Sequence, residues 1–206
     1  MWLGPAAALA ASAVVLIGVR YAGAGGSGTV DARIGAAVAG TVPRWRRAAL
    51  AVDFLGEPAG AAVLVLAAVA LCLVLRRPRA AVLAVAGTGL TVGATKLLKP
   101  LVGRTIHEGY LSYPSGHTAF LTAFALVPAL LAARRLGRAA GALLVLSAAL
   151  VAGAVMGWAQ VALSAHYPTD TLGGWCTALA VVPATAWLID RAAERAAGRP
   201  ARTPTG

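Results

Sequence analysis

The run AAGALLVLSAALVAGAVMGW, residues 139–158, carries no charge from end to end. A helix needs about 20 consecutive apolar residues to cross the hydrocarbon core of a bilayer. This run meets that length, and similar runs recur on both sides of it. The apolar runs predict spans at Pro5–Ala22, Pro58–Leu75, Ala80–Leu98, Ser115–Ala133, Ala139–Trp158 and Thr171–Ile189. Tight basic turns separate some of them, Arg76-Arg77-Pro78-Arg79 and Arg134-Arg135-Leu136-Gly137-Arg138. The fold expected is all-α, a polytopic membrane helical bundle with about six transmembrane helices.

Composition agrees with that expectation. Of 206 residues, 59% are hydrophobic and only 12% are charged, against about 25% charged in a soluble domain. A net charge of +11 could point to nucleic acid. However, the basic residues cluster at the ends of apolar runs, and no basic stripe is interleaved with aromatics, so nucleic acid is excluded as a partner. Cys72 and Cys176 each lie inside an apolar run and read as packing residues rather than disulfide partners. Arg far outnumbers Lys and Ala is abundant, which suggests a high-GC bacterium and a place in its plasma membrane.

The chain reads as one domain in three stretches. Residues 1–57 hold an N-terminal anchor helix and an interfacial segment, 58–189 the membrane core, and 190–206 a cytoplasmic tail. The first span lacks a basic n-region and reads as a retained anchor rather than a cleaved signal. Asp31–Glu57 has apolar residues at helical spacing, with Arg44, Arg46 and Arg47 around Trp45, and reads as an interfacial amphipathic helix. The tail past Gly198 is expected to lack order. The basic turns, with Arg191, Arg195, Arg199 and Arg202, mark the cytoplasmic side. The Arg44–Arg47 cluster falls on the other side and runs against this rule.

Polar residues are rare in this chain, and in a membrane such residues read as a site. Pro114-Ser115-Gly116-His117 stands just before the fourth span, and His166-Tyr167-Pro168-Thr169-Asp170 just after the fifth. Two crossings separate them, so both emerge on one face, as do Lys96, Lys99 and Arg104 at the end of the third span. These residues suit phosphate chemistry. Ser115 and Gly116 open a helix whose free N–H groups can hold phosphate oxygens, Gly116 lets the backbone approach, and Ser115 can add a hydroxyl donor. Lys96, Lys99 and Arg104 offer positive charge. His166 is the candidate nucleophile, Asp170 its orienting partner, and His117 the general acid. His107 and Glu108 read as loop or rim residues, and Tyr110 and Tyr113 as interface aromatics. His117, His166 and Asp170 are zinc ligands by type, but the nearby basic residues oppose a cation, and no metal or other cofactor is expected.

With its upstream basic cluster and span layout, this pattern resembles the type-2 phosphatidic acid phosphatase superfamily over about Pro58–Ile189. The family motif Pro-Ser-Gly-His is complete in Pro114–His117, the His-x3-Asp pair falls on His166 and Asp170, and Lys99 anchors the first motif. The resemblance implies a six-span bundle with the site at its outer mouth and metal-independent hydrolysis of lipid phosphates. It also implies two arginines that this chain lacks. Ile106 and Gln160 occupy their places, with His107 and Ala159 at two further motif positions. Gln160 can donate hydrogen bonds to phosphate but carries no charge. The expected partners are a lipid phosphate substrate, such as a prenyl (pyro)phosphate or phosphatidic acid, and membrane lipids. The alternatives are a non-catalytic lipid-phosphate-binding relative or scaffold, and a phosphotransferase.

Overall fold

The computed structural model describes residues 3–40 and 42–197, so the tail past Gly198 lies outside the described residues. Among them are eight helices: α1 Leu3–Arg20, α2 Thr29–Ala39, α3 Val42–Phe54, α4 Pro58–Val74, α5 Pro78–Val102, α6 Gly116–Ala133, α7 Arg138–Ala162 and α8 Pro168–Ala197. The one sheet has two residues per strand, β1 Thr105–Ile106 antiparallel to β2 Tyr110–Leu111. This is an all-α membrane bundle. Helices α5 to α8 are each long and apolar enough to cross a bilayer, and α3 with α4, bent by 58°, makes a fifth such unit. Helix α1 is apolar but shorter.

Local sequence sets the helix ends. Pro58, Pro78 and Pro168 stand at first helical positions, where a missing N–H costs nothing. Ser115 caps α6, its Oγ accepting from Thr118 N–H. Gly103 ends α5 in the left-handed region at φ 65°, which glycine adopts without a Cβ penalty. Helix α5 thus runs past Pro100, beyond the span end expected at Leu98, and only a small hairpin is left before α6. Helix α8 likewise continues to Ala197, so the start of the charged tail is helix.

The segment Asp31–Glu57, expected as one amphipathic helix, forms two, and α3 packs on the bundle. Its Ala49 is fully buried against Ala159 and Ala162 of α7. Small residues let these backbones approach, which is how helices associate where lipid removes the hydrophobic drive.

The main core lies where α5, α6, α7 and α8 cross, around Leu83, Ala123, Leu126, Val145, Ala178 and Val182. Large apolar side chains such as Leu66, Leu97, Leu143 and Leu150 face outward, as lipid contact requires. Helix α1 packs on α8 through Ala10, Val14 and Cys176. Tyr113, read from sequence as an interface aromatic, is instead fully buried and donates its hydroxyl to the Val14 carbonyl at 2.7 Å. This ties α1 to the loop before α6.

The ends of α5 and α7 and the starts of α6 and α8 meet at one end of the bundle. Ser115 N–H donates to the Asp170 carbonyl at 2.9 Å, joining the two motif segments directly. Gly174 lies under this junction, where an added Cβ would stand 2.3 Å from the Ser115 carbonyl oxygen. Gly174→Ala is therefore expected to lower stability by about 1–3 kcal/mol through overpacking, read as a fall in the melting temperature of the detergent-purified protein.

Candidate active site

The centre of the polar cluster is Arg104, just past the α5 cap. Its side chain is fully buried. Nη1 donates to Asp170 Oδ1 and to Thr169 Oγ1, both at 2.6 Å, and Nη2 donates to Asp31 Oδ2 at 2.6 Å. The guanidinium lies over the rings of Tyr21 and Tyr167, 4.1 and 4.4 Å from their centroids. Asp31 also accepts from the Thr169 N–H at 2.9 Å. Three segments distant in sequence are thus tied at one cation. Arg104 was expected to hold phosphate; in this structure two carboxylates neutralise it and two tyrosines cover it.

Asp170 is held by the same clamp. Its Oδ1 takes Arg104, while Oδ2 accepts the Tyr167 N–H at 3.1 Å and stands 3.7 Å from His166 Nδ1. That last separation is too long for a hydrogen bond and short enough for the carboxylate to orient the imidazole. With Nδ1 toward Asp170, Nε2 is the nitrogen left for chemistry. His166 has a side chain 10% exposed. Burial holds its pKa below the ordinary 6.5, Asp170 opposes the shift, and the charges of Lys99 and His117 add to it. Its neutral, nucleophilic form is therefore favoured.

His117 sits in the first turn of α6, where the N–H groups of Gly116 and His117 have no acceptor within the helix. Ser115 is fully buried, and its Oγ accepts from both the Thr118 N–H and the Thr118 hydroxyl. Its contribution is thus the capped helix start rather than a side chain turned outward.

The other expected phosphate ligands are placed differently from one another. Lys99 Nζ donates to the Leu111 and Ser112 carbonyls at 2.6 and 3.4 Å, fastening the hairpin to α5, with its charge still felt at His166 and Asp170. Lys96 does not join the cluster. It is exposed and makes no hydrogen bond or ion pair among the described residues. Gln160 is 1% exposed, and its amide is spent on Asp53, Nε2 to Oδ1 at 2.6 Å. Its backbone carbonyl accepts from the Ala165 and His166 N–H groups, which pins the His166 loop. Ile106 is buried in β1. His107 Nε2 donates to the Ser164 carbonyl at 2.7 Å, linking the hairpin to that same loop.

Sequence reasoning missed three acids. Asp31 completes the arginine clamp. Asp53 and Glu57 face His117 Nε2 at 3.6 and 3.5 Å. The donor atoms of Asp53, Glu57 and His117 lie within 4.8 Å of one another, a spacing at which they could share a cation. The zinc set weighed from sequence, His117 with His166 and Asp170, does not form such a group among the described residues. The one available signal was that each acid stands alone in an apolar or basic stretch, where a charge needs a partner.

The family model of the PAP2 superfamily matches residues 80–194, more than half of the chain. The chain belongs to the PAP2 superfamily. That is a phosphatase-type family of membrane proteins. No curated protein and no solved structure matches. The matched stretch holds every element of the His166–Asp170–Arg104 arrangement except Asp31 and Tyr21. The two acids at His117 also lie before it, so that part of the site comes from this chain's own N-terminal segment.

Two outcomes follow. Asp31→Ala leaves a buried cation half-compensated and is expected to cost about 3–5 kcal/mol of stability, measured by unfolding in detergent. In a 15N-detected titration, His166 is expected to take its proton below pH 6.5, because burial disfavours its charged form. A midpoint above that value would contradict the buried site.

Proposed function

We propose that this protein is a membrane phosphatase that hydrolyses a lipid phosphate through a phosphohistidine on His166, at the face expected from the basic turns to be non-cytoplasmic. The observation that carries the reading is the chain of contacts from Arg104 to Asp170 to His166. It presents Nε2 of a buried, neutral imidazole as a nucleophile. As this nitrogen bonds to phosphorus, positive charge develops on the ring, and Asp170 stands at Nδ1 to stabilise it. The free N–H groups of Gly116 and His117 at the start of α6, with the charge of Lys99, are the donors for the phosphate oxygens. His117 protonates the leaving oxygen and later activates water. Apolar helices around the site suit an amphiphile whose phosphate lies at the interface. Prenyl (pyro)phosphates and phosphatidic acid share that chemistry.

A second reading is favoured by one observation. Arg104 and Gln160 are committed within the protein, and Lys99 partly so, leaving the site fewer charged donors than a phosphate dianion can use. A relative that binds a lipid phosphate without turning it over would tolerate this. A phosphotransferase would instead need an acceptor other than water.

Phosphate release by the detergent-purified protein, with EDTA present, tests the reading on a panel of lipid phosphates. His166→Ala is expected to abolish release, and His117→Ala to slow it by about 10²–10⁴. Vanadate, a mimic of five-coordinate phosphorus, is expected to inhibit. Binding without release by the wild type supports the second reading, and dependence on an added alcohol acceptor supports transfer.

A further inference from the structure

The bend between α3 and α4 brings to the site two acids to which the proposed mechanism gives no role. Asp53 lies in the last turn of α3, and Glu57 immediately precedes α4. Their carboxylate oxygens stand 3.6 and 3.5 Å from His117 Nε2. Nε2 is shielded from solvent and has no hydrogen-bond partner. Asp53 is fixed from a third element, since the buried Gln160 of α7 donates to its Oδ1 at 2.6 Å. Gly56, between the two acids, lies against the imidazole itself, and a Cβ there would come within 2.4 Å of His117 Cδ2. Three elements from different parts of the chain thus meet at one ring nitrogen. A surface acid pair has no need of such an arrangement.

We propose that Asp53 and Glu57 are positioning residues that hold the His117 ring so that its Nε2 proton is aimed at the leaving oxygen, with Gln160 holding Asp53 in place. This rests on the reading of His117 as the general acid. As general acid the ring is the imidazolium, protonated at both nitrogens, and the two carboxylates beside Nε2 orient the N–H that is transferred. Neither is near enough to bind the proton as an acceptor, so it remains transferable. His117 lies close enough to His166 for the two to interact electrostatically, as do Lys99 and Asp170 with His166. In the first step the lone pair of His166 Nε2 forms the N–P bond while the P–O bond to the lipid alcohol breaks. The electron pair stays on the alcohol oxygen, which receives the Nε2 proton of His117. In the second step a water oxygen forms the new P–O bond, its proton passes to His117 Nε2, and the N–P electron pair returns to His166. The acids keep their protonation throughout.

The proposal also gives the Gln160 position a purpose here. An arginine in that place would compete for the carboxylate of Asp53, whereas an amide holds it without adding charge.

Leaving-group dependence tests the proposal, because a poor leaving group needs the proton and a good one does not. Values of kcat/KM, which report the steps up to phosphohistidine formation and not its hydrolysis, are compared for a long-chain alkyl phosphate and a nitrophenyl phosphate, using the full detergent-purified chain with Asp53→Asn, Glu57→Gln, the double variant and His117→Ala. The half-exposed Glu57 keeps its shape as Gln, so Glu57→Gln stands if Asp53→Asn fails to fold. The expected result is a kcat/KM loss on the alkyl ester of about 10-fold or more for each single variant, a share of the general-acid effect, with kcat/KM on the nitrophenyl ester near wild type. On a His117→Ala background the acid substitutions are expected to add nothing. Equal losses on both esters, or none on either, would overturn the proposal. So would wild-type activity that EDTA abolishes and a divalent ion restores, since the acids would then hold a metal. Failure of the underlying phosphatase reading looks different, with no turnover of either ester by the wild type.

Discussion

One buried guanidinium organises this molecule. Arg104 joins Asp31 of α2, Asp170 at the start of α8 and the two tyrosines that cover it. A cation taken out of water is tolerable only when its charge and its N–H groups are answered, and here both nearly are, with Nε the one nitrogen left over. The strength of the arrangement lies in its consequences for others. Asp170 cannot turn away from His166 without abandoning Arg104. The hairpin after α5 cannot shift without carrying Arg104 with it. His166, the proposed nucleophile, is therefore placed by a structural ion network rather than by the helix on which it would otherwise ride.

The bundle was legible in the sequence because hydrocarbon length is a local property. An uncharged run such as residues 139–158 declares a span without reference to anything else. The motif pairs were legible for a related reason: counting crossings fixes which polar segments share a face, and the Ser115–Asp170 backbone bond joins the two predicted to meet. What could not be read was burial. Arg104 looks in sequence like a loop cation free to take phosphate, and its sealing depends on Tyr21 and Asp31 in a segment far upstream. Asp53 and Glu57 carry no motif, and they reach His117 because the chain bends by 58° between α3 and α4. Nothing in the sequence ties Gln160 to Asp53, the carboxylate that its amide meets across the fold.

The charge balance around the two histidines is unusual for a site that handles phosphate. Positive groups are turned inward, Arg104 to acids and Lys99 largely to carbonyls, while two carboxylates stand beside His117. Such a site depends on backbone donors at the start of α6 more than on side-chain cations. That makes the helix terminus, and the small residues that let α8 approach it, central to any chemistry here.

The clamp also constrains the order in which the protein can be made. A chain entering the membrane from its N-terminus presents Asp31 first, Arg104 next and Asp170 last. Asp31 and Arg104 can neutralise one another while synthesis continues, so the nascent bundle is not left holding a bare buried charge. His166 is oriented only after α8 has been inserted and Asp170 has joined them. The His166 imidazole is thereby put in place at the end of biogenesis, when the surrounding helices are already there to exclude bulk water.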